Sequence, residues 1–217
     1  KLFISEVIFR LCYPFGKKVG VDNFFMDVFT PFLHALPDLE RRDTIVMAGP
    51  TQEGSDWVGC CGYYTGTFSK AWLDIPPTGH QVAMRFHEFY RFEDGRVTEV
   101  QVLWDIPEVM MQALAWPMTP SLGREWQVPG PATQDGIIQG PYDEPRSSAT
   151  CQLIIDMLTS MNRHPSEGGP EVMKMNKFWH PKMNLYVPSG IGTGRCIDGF
   201  RIWHQIPFLA AMPDRGQ

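Results

Sequence analysis

The chain has 217 residues, a formal charge of −5, a hydrophobic fraction of 43% and an aromatic fraction of 12%. That supports one large packed domain or two small ones, and the mild acidity without a basic run excludes nucleic acid as an expected partner. No window approaches the roughly eighteen apolar residues of a membrane helix and no signal-peptide pattern opens the chain; the expectation is a cytoplasmic protein with no membrane partner.

Lys1 to Phe9 is a short apolar segment, a strand or the end of a helix, broken by Tyr13-Pro14-Phe15-Gly16. Asp22 is placed to cap a helix. Phe24, Phe25, Val28, Phe29, Phe32, Leu33 and Leu36 then recur at helical spacing, so this helix buries a broad face. Pro31 kinks it and Pro37 helps to stop it. Thr44 to Ala48 reads as a strand. Trp57 to Phe68 reads as a longer one, whose internal glycines call for bulges or strong curvature.

Asp94-Gly95 is a tight hairpin signal, because a type I′ turn needs positive φ at both central residues. Val82 to Phe92 before it and Arg96 to Trp104 after it are rich in β-branched and aromatic residues. Alternation sets Val82, Met84, Phe86, Glu88, Tyr90 and Phe92 on one face and Ala83, Arg85, His87, Phe89 and Arg91 on the other. In the second strand Val97, Glu99, Gln101, Leu103 and Asp105 share a face. That face is expected to look inward, toward Phe86 or Tyr90. Asp105 closes the strand just before a proline-led helix.

Pro76-Pro77-Thr78-Gly79, the hairpin from Tyr90 to Val97, and Asp105 followed by a helix containing Gln112 resemble the SnoaL-like polyketide cyclase family of the NTF2-like superfamily. The likeness extends upstream through Trp57-Val58 and Tyr64-Thr65-Gly66-Thr67, covering roughly Asp43 to Ala113. It implies an α+β fold: a cone of curved antiparallel sheet wrapped around helices, with an apolar pocket inside. It also implies acid/base chemistry without cofactors, in which the acid at Asp105 takes a proton beside a carbonyl and ring closure or isomerisation follows. The substrate implied is a small apolar carbonyl compound; a homodimer is expected on separate grounds, because an incomplete cone leaves an apolar helix face that needs a partner. The chain departs from the pattern at Phe68, where many relatives carry histidine.

Trp116 to Pro145 is rich in proline, glycine and polar residues without a sustained period, and reads as a surface linker. Ser147 or Ser148 can cap a following helix through Cys151, Ile154, Ile155 and Leu158. His164 to Pro170 reads as a loop and Val172 to Phe178 as a short helix. The closing stretch then repeats the early helix at an offset of 176 (Pro31 to Pro207): Asp22 meets Asp198, Phe24 meets Phe200, Phe32-Leu33 meets Phe208-Leu209, Ala35 meets Ala211 and Pro37-Asp38 meets Pro213-Asp214. Internal similarity at this distance argues for two copies of one domain. The expected organisation is a first copy over 1–116 without its first helix, a linker over 117–146, and the helical opening of a second copy over 147–217.

Asp105 is the foremost catalytic candidate. Burial beside apolar side chains would raise its pKa toward that of a useful base, and helix capping is the alternative role. His87, sharing a face with Arg85, is the second catalytic candidate, able to hydrogen-bond a carbonyl. Trp57, Tyr64, Phe68, Trp72, Phe86, Tyr90 and Trp104 are candidates to line a pocket for a flat ring-bearing ligand, with Arg85 and Gln101 as polar contacts; core packing is the rival role of the rings. The cysteines (Cys12, Cys60, Cys61, Cys151, Cys196) are an odd set without a framework and are expected to be reduced thiols. No metal spacing is present, and Gly190-Ile191-Gly192-Thr193-Gly194 lacks the lysine-serine ending of a phosphate loop. The alternative function is a non-catalytic module that binds a small molecule or another protein.

Overall fold

The computed structural model describes residues 1–123, 129–163 and 169–213, divided between two compact units. The first holds residues 1–120 together with 129–139, and the second holds 121–123, 140–163 and 169–213. The loop reading at His164 to Pro170 lies mostly outside the described residues.

In the first unit β1 (Phe3–Leu11), β2 (Lys17–Val19), β3 (Glu40–Pro50), β4 (Asp56–Thr67), β5 (Gln81–Glu93) and β6 (Arg96–Trp104) form one six-stranded sheet in the order β2-β1-β6-β5-β4-β3. The β1–β6 pair is parallel and the others are antiparallel. The hairpin forms as its turn residues dictate, Asp94 at φ 49° and Gly95 at φ 72°. Gly62 in β4 is where curvature needs a missing side chain, since a Cβ there would stand 2.1 Å from the Arg42 carbonyl oxygen beside the bulge in β3.

The early helix runs as α1 (Val21–Phe24), a π-helical turn (Phe25–Phe29) and α2 (Thr30–Ala35). Pro31 is the cause of the irregularity, because it cannot donate into the helix and crowds the preceding turn. Val28, Phe32, Ala35 and Leu36 are buried against the sheet residues Tyr64, Val82, Met84, Phe86, Val97, Val100, Val102 and Trp104. Asp22 is not the cap: Gly20 precedes the helix at φ 83°, and Asp22 sits in the first turn, where its charge suits the helix dipole. The α3 helix (Ile106–Gln112) follows β6. Of the linker, Val46 in β3 donates to the Gly136 carbonyl at 2.8 Å and accepts from the Ile138 amide at 2.9 Å, so this stretch pairs with the β3 edge.

The second unit opens on α4 (Glu144–Met161), capped by Asp143, which accepts from the Arg146 amide, and not by Ser147 or Ser148. The expected helix at Val172 to Phe178 is two short 3-10 turns, Pro170–Met173 and Met175–Lys177. A two-stranded hairpin follows, β7 (Asn184–Leu185) with β8 (Gly194–Arg195), and then α5 (Cys196–Phe200), a π-helical turn (Arg201–Gln205) and α6 (Ile206–Ala211).

The repeat extends from sequence into hydrogen bonds. Ile8 pairs with Val19 and Phe9 with Lys18; 176 residues on, Asn184 pairs with Arg195 and Leu185 with Gly194. Gly20 donates to Val7 at 2.8 Å, and Cys196 donates to Met183 at 2.8 Å. Gly20 and Cys196 both carry positive φ. Each hairpin leads into the same succession of α turn, π turn and proline-led α turn.

Candidate functional site

The inner face of the first unit's sheet is lined by rings. Phe32 from α2 lies 5.6 Å from Tyr64, 4.8 Å from Trp72 and 5.4 Å from Trp104, and Tyr64 lies 4.8 Å from Phe86, centroid to centroid. These five side chains and Phe68 are all buried. Phe15, in the loop between β1 and β2, is half-buried and touches both Trp72 and Trp104 from the edge of the cluster.

One carboxylate is sunk among the rings. Glu88 is 2% exposed, and its Oε1 accepts from Tyr64 at 3.0 Å and from the Trp104 indole at 2.8 Å. Its Oε2 accepts from Tyr90 and from Arg41, whose guanidinium stacks 4.2 Å over the Phe86 ring. Burial opposes the charge on Arg41, but Asp43, Glu88 and the two tyrosines hold its pKa above the ordinary arginine range. Desolvation, with the Glu88 charge added, pushes the Tyr64 and Tyr90 phenols well above their usual range. Glu88 is therefore a satisfied clamp, its acceptor capacity spent on its four neighbours.

The far end of β5 is stitched to α3. Beyond the pair of Phe86 with Trp104, β6 no longer matches β5, and Arg85 and Ala83 need other partners. Asp105 donates its amide to the Arg85 carbonyl at 2.9 Å. The Glu108 carboxylate accepts from the Arg85 amide at 2.7 Å, while Gln112 accepts from the Ala83 amide at 2.9 Å and donates to the Ala83 carbonyl at 2.6 Å. Two side chains of a helix thus continue the ladder that the strand has left. The Arg85 guanidinium stays with this seam, 3.8 Å from Glu108 and within reach of the Tyr63 hydroxyl, with Arg85 and Glu108 both buried.

Asp105 stands where strand, seam and loop meet. It is half-buried, it precedes α3 without capping it through its side chain, and Cys12 from the β1–β2 loop reaches the neighbouring Trp104 carbonyl at 3.7 Å. Burial raises the Cys12 pKa and the Asp105 charge adds to that. His87 is shifted down by burial and by Arg85, with Asp105 acting against the shift. Burial and Arg85 both favour the neutral ring of His87 over the imidazolium. Its ring lies 4.0 Å from the Cys61 thiol, which burial pushes up to about 11, so the pair is no thiolate–imidazolium site.

Residues 2–113, from β1 to the end of α3, match the family described as SnoaL-like polyketide cyclase, just over half of the chain. The chain belongs to that family. Among solved structures, AclR, a proposed hydroxylase from Streptomyces galilaeus, is 21% identical over 55% of this chain and 73% of its own, with a TM-score of 0.46. IdmH, a proposed polyketide cyclase from Streptomyces antibioticus, is 20% identical over 52% and 81%, with a TM-score of 0.43. A SnoaL-like protein from Jannaschia sp. CCS1 is 22% identical over 54% and 76%, with a TM-score of 0.44. Comparison with curated proteins gave no match.

Within the SnoaL-like unit the expected site residues divide between the two faces of the sheet. Tyr64, Phe68, Trp72, Phe86, Tyr90 and Trp104 belong to the inner cluster. Trp57, Arg85, His87 and Gln101 do not: register places Trp57 opposite Arg91, His87 opposite Cys61 and Leu103, and Gln101 opposite Phe89, all on the outer face. The inward expectation for Leu103 is likewise corrected, since Leu103 is 60% exposed while Val102 and Trp104 are buried. The cause is a bulge at Thr98, which turns both Val97 and Val100 inward and shifts the alternation of everything after them. Asp105 lies past the last paired residue, so alternation does not fix its side chain. Arg41, Glu88, Glu108, Gln112 and Cys12 were not singled out as site residues from sequence. Glu88 carried a readable signal, a lone charge on an apolar strand face.

No helix among the described residues is long and apolar enough to cross a membrane.

Proposed function

We propose that the first unit performs acid/base chemistry on a small, largely apolar carbonyl compound, without a cofactor, abstracting a proton next to the carbonyl so that ring closure or isomerisation follows. The observation that carries this reading is the setting of Asp105: half-buried, next in sequence to the buried Trp104 of the ring cluster, not capping α3 through its side chain, and near enough to Cys12 and His87 for its charge to act on both. The backbone of Asp105 is fixed by the seam, its amide donating to the Arg85 carbonyl at 2.9 Å and its carbonyl accepting from the Glu108 amide at 3.0 Å, and a half-buried carboxylate on a fixed backbone suits a positioned proton acceptor. His87 remains outside this assignment because its strand turns it to the other face. The reading is tested by following hydrogen–deuterium exchange beside the carbonyl of 1-tetralone by NMR. Wild-type protein should accelerate exchange and Asp105→Asn should not; equal rates for both would remove Asp105 as the base.

A second reading has its own observation. Ring-to-ring contact around Phe32 fills much of the inner face, and Met47, Phe89 and Leu103 are exposed on the outer face. This favours a module that uses the sheet surface to bind another protein. The same exchange assay separates the two, since such a module would leave the ketone untouched.

We infer further that the second unit is the opening part of a second SnoaL-like copy. Its support is the shared ladder register, the shared positive φ at Gly20 and Cys196, and the π turn repeated at the same offset.

A further inference from the structure

We infer that the Trp72 indole N–H is the hydrogen-bond donor that recognises the oxygen of a carbonyl ligand at the rim of the ring cluster. Trp72 is 3% exposed, and its Nε1 reaches no acceptor among the described residues. The contrast with Trp104 is direct: that indole, in the same cluster, is satisfied by Glu88 at 2.8 Å. A buried N–H left without an acceptor is costly, and tryptophan normally meets the need when buried. A phenylalanine would pack the same space without that cost, so the nitrogen points to an acceptor that arrives from outside.

The donor is also held still. Trp72 and Ile75 close a tight turn through both backbone hydrogen bonds, at 3.2 and 2.9 Å, with Leu73 at φ 52° and Asp74 at φ 62° between them. A turn of that kind fixes the ring before a ligand arrives, which lowers the cost of binding. Phe15 links this donor to the proposed base: its ring lies 6.2 Å from Trp72 and 6.0 Å from Trp104, the residue that precedes Asp105. Phe15 is half-buried and sits in a loop, so it can yield to a ligand where the deeper rings cannot. The ligand class this selects is a flat, apolar molecule with one exposed carbonyl oxygen. The inference deepens the acid/base reading above and rests on it for the role of the bound oxygen, though not for the binding itself.

The test uses protein with 15N-labelled tryptophan, titrated with 1-tetralone and, in parallel, with tetralin, which has the same rings and no carbonyl. The Trp72 indole cross-peak is identified by its loss in Trp72→Phe. It should move downfield on addition of the ketone and not with the hydrocarbon. The ketone should bind about fivefold more tightly than tetralin to wild-type protein, and Trp72→Phe should erase that preference. A cross-peak that stays in place at millimolar ketone, or that moves equally with both compounds, overturns the inference. If Trp72→Phe fails to fold, the cross-peak is assigned in wild-type protein from its nuclear Overhauser contacts with the Phe15 and Phe32 rings, and the wild-type titration then decides. Asp105→Asn should keep the shift while losing deuterium exchange. A shift without any exchange in wild-type protein would leave Trp72 as a binding donor and remove the catalytic reading.

Discussion

Glu88 and Trp104 are diagonal neighbours across the β5–β6 pair, and the indole of one donates to the carboxylate of the other at 2.8 Å. That bond settles the character of the inner face: its one sunken carboxylate is bound on both oxygens and tied to Arg41. Glu88→Gln should therefore cost about 2–4 kcal/mol of stability, because it breaks a largely buried pair and leaves donors poorly matched. Urea unfolding followed by tryptophan fluorescence reads this directly. A cost under about 0.5 kcal/mol, the range of surface substitutions, would show that the cluster does not hold the sheet.

The seam between β5 and α3 gives a second expectation. Gln112 satisfies both backbone groups of Ala83 and returns a bond to the Glu108 carbonyl at 2.8 Å. Gln112→Ala should cost about 1–3 kcal/mol and raise amide exchange at Ala83 first. Hydrogen exchange measured residue by residue would contradict this if Ala83 stayed as protected as the centre of β5.

How much of this was legible from sequence differs from element to element. The hairpin at Asp94-Gly95 was readable because only certain residues accept its φ values, and the repeat was readable because identity survives at Pro31 and Pro207. The face of Leu103 was not, because a bulge at Thr98 has no residue signature and reverses every later side chain in β6. Nor were Arg41 and Glu108, whose partners lie 47 and 23 residues away and come together only through sheet order. The site reading gathered residues from both faces of the sheet: Arg85 and His87 alternate with Phe86 and Tyr90 along β5, and the bulge in β6 moves Gln101 to the outer face as well.

Acid sensitivity follows from His87. Burial and Arg85 lower its folded pKa below the ordinary value, so the unfolded chain binds the proton more readily. Stability is therefore fully present above the unfolded value of about 6.5 and falls as pH drops through it toward the folded value. His204 in the second unit is shifted the same way by burial and has the same sign. His87→Gln should flatten the loss between about pH 7 and pH 5 in the first unit's unfolding transition, and His204→Gln should do so in the second's. An unchanged slope in both variants would contradict the assignment. At the alkaline end Cys61, raised to about 11, keeps its proton when the unfolded thiol has lost it, so stability should fall as pH rises past the unfolded thiol value.

Gly20 and Cys196 occupy matching places with φ of 83° and 62°. Glycine takes that conformation without penalty and cysteine does not. Cys196→Gly should thus stabilise the second unit by about 0.5–1 kcal/mol, offset in part by the greater freedom of glycine in the unfolded chain, while Gly20→Ala should destabilise the first by about 1 kcal/mol. Calorimetry of the whole chain checks both, and a loss of stability in Cys196→Gly would argue against equivalent roles.

The most direct test of the account is the rate of deuterium exchange into 1-tetralone by wild-type and Asp105→Asn protein, measured alongside their unfolding midpoints. The account predicts a fall of about a hundredfold or more in the protein-dependent rate, the usual scale of a lost general base, with the midpoint unchanged or raised. Exchange that persists in Asp105→Asn, or that falls only as far as the variant unfolds, would contradict it.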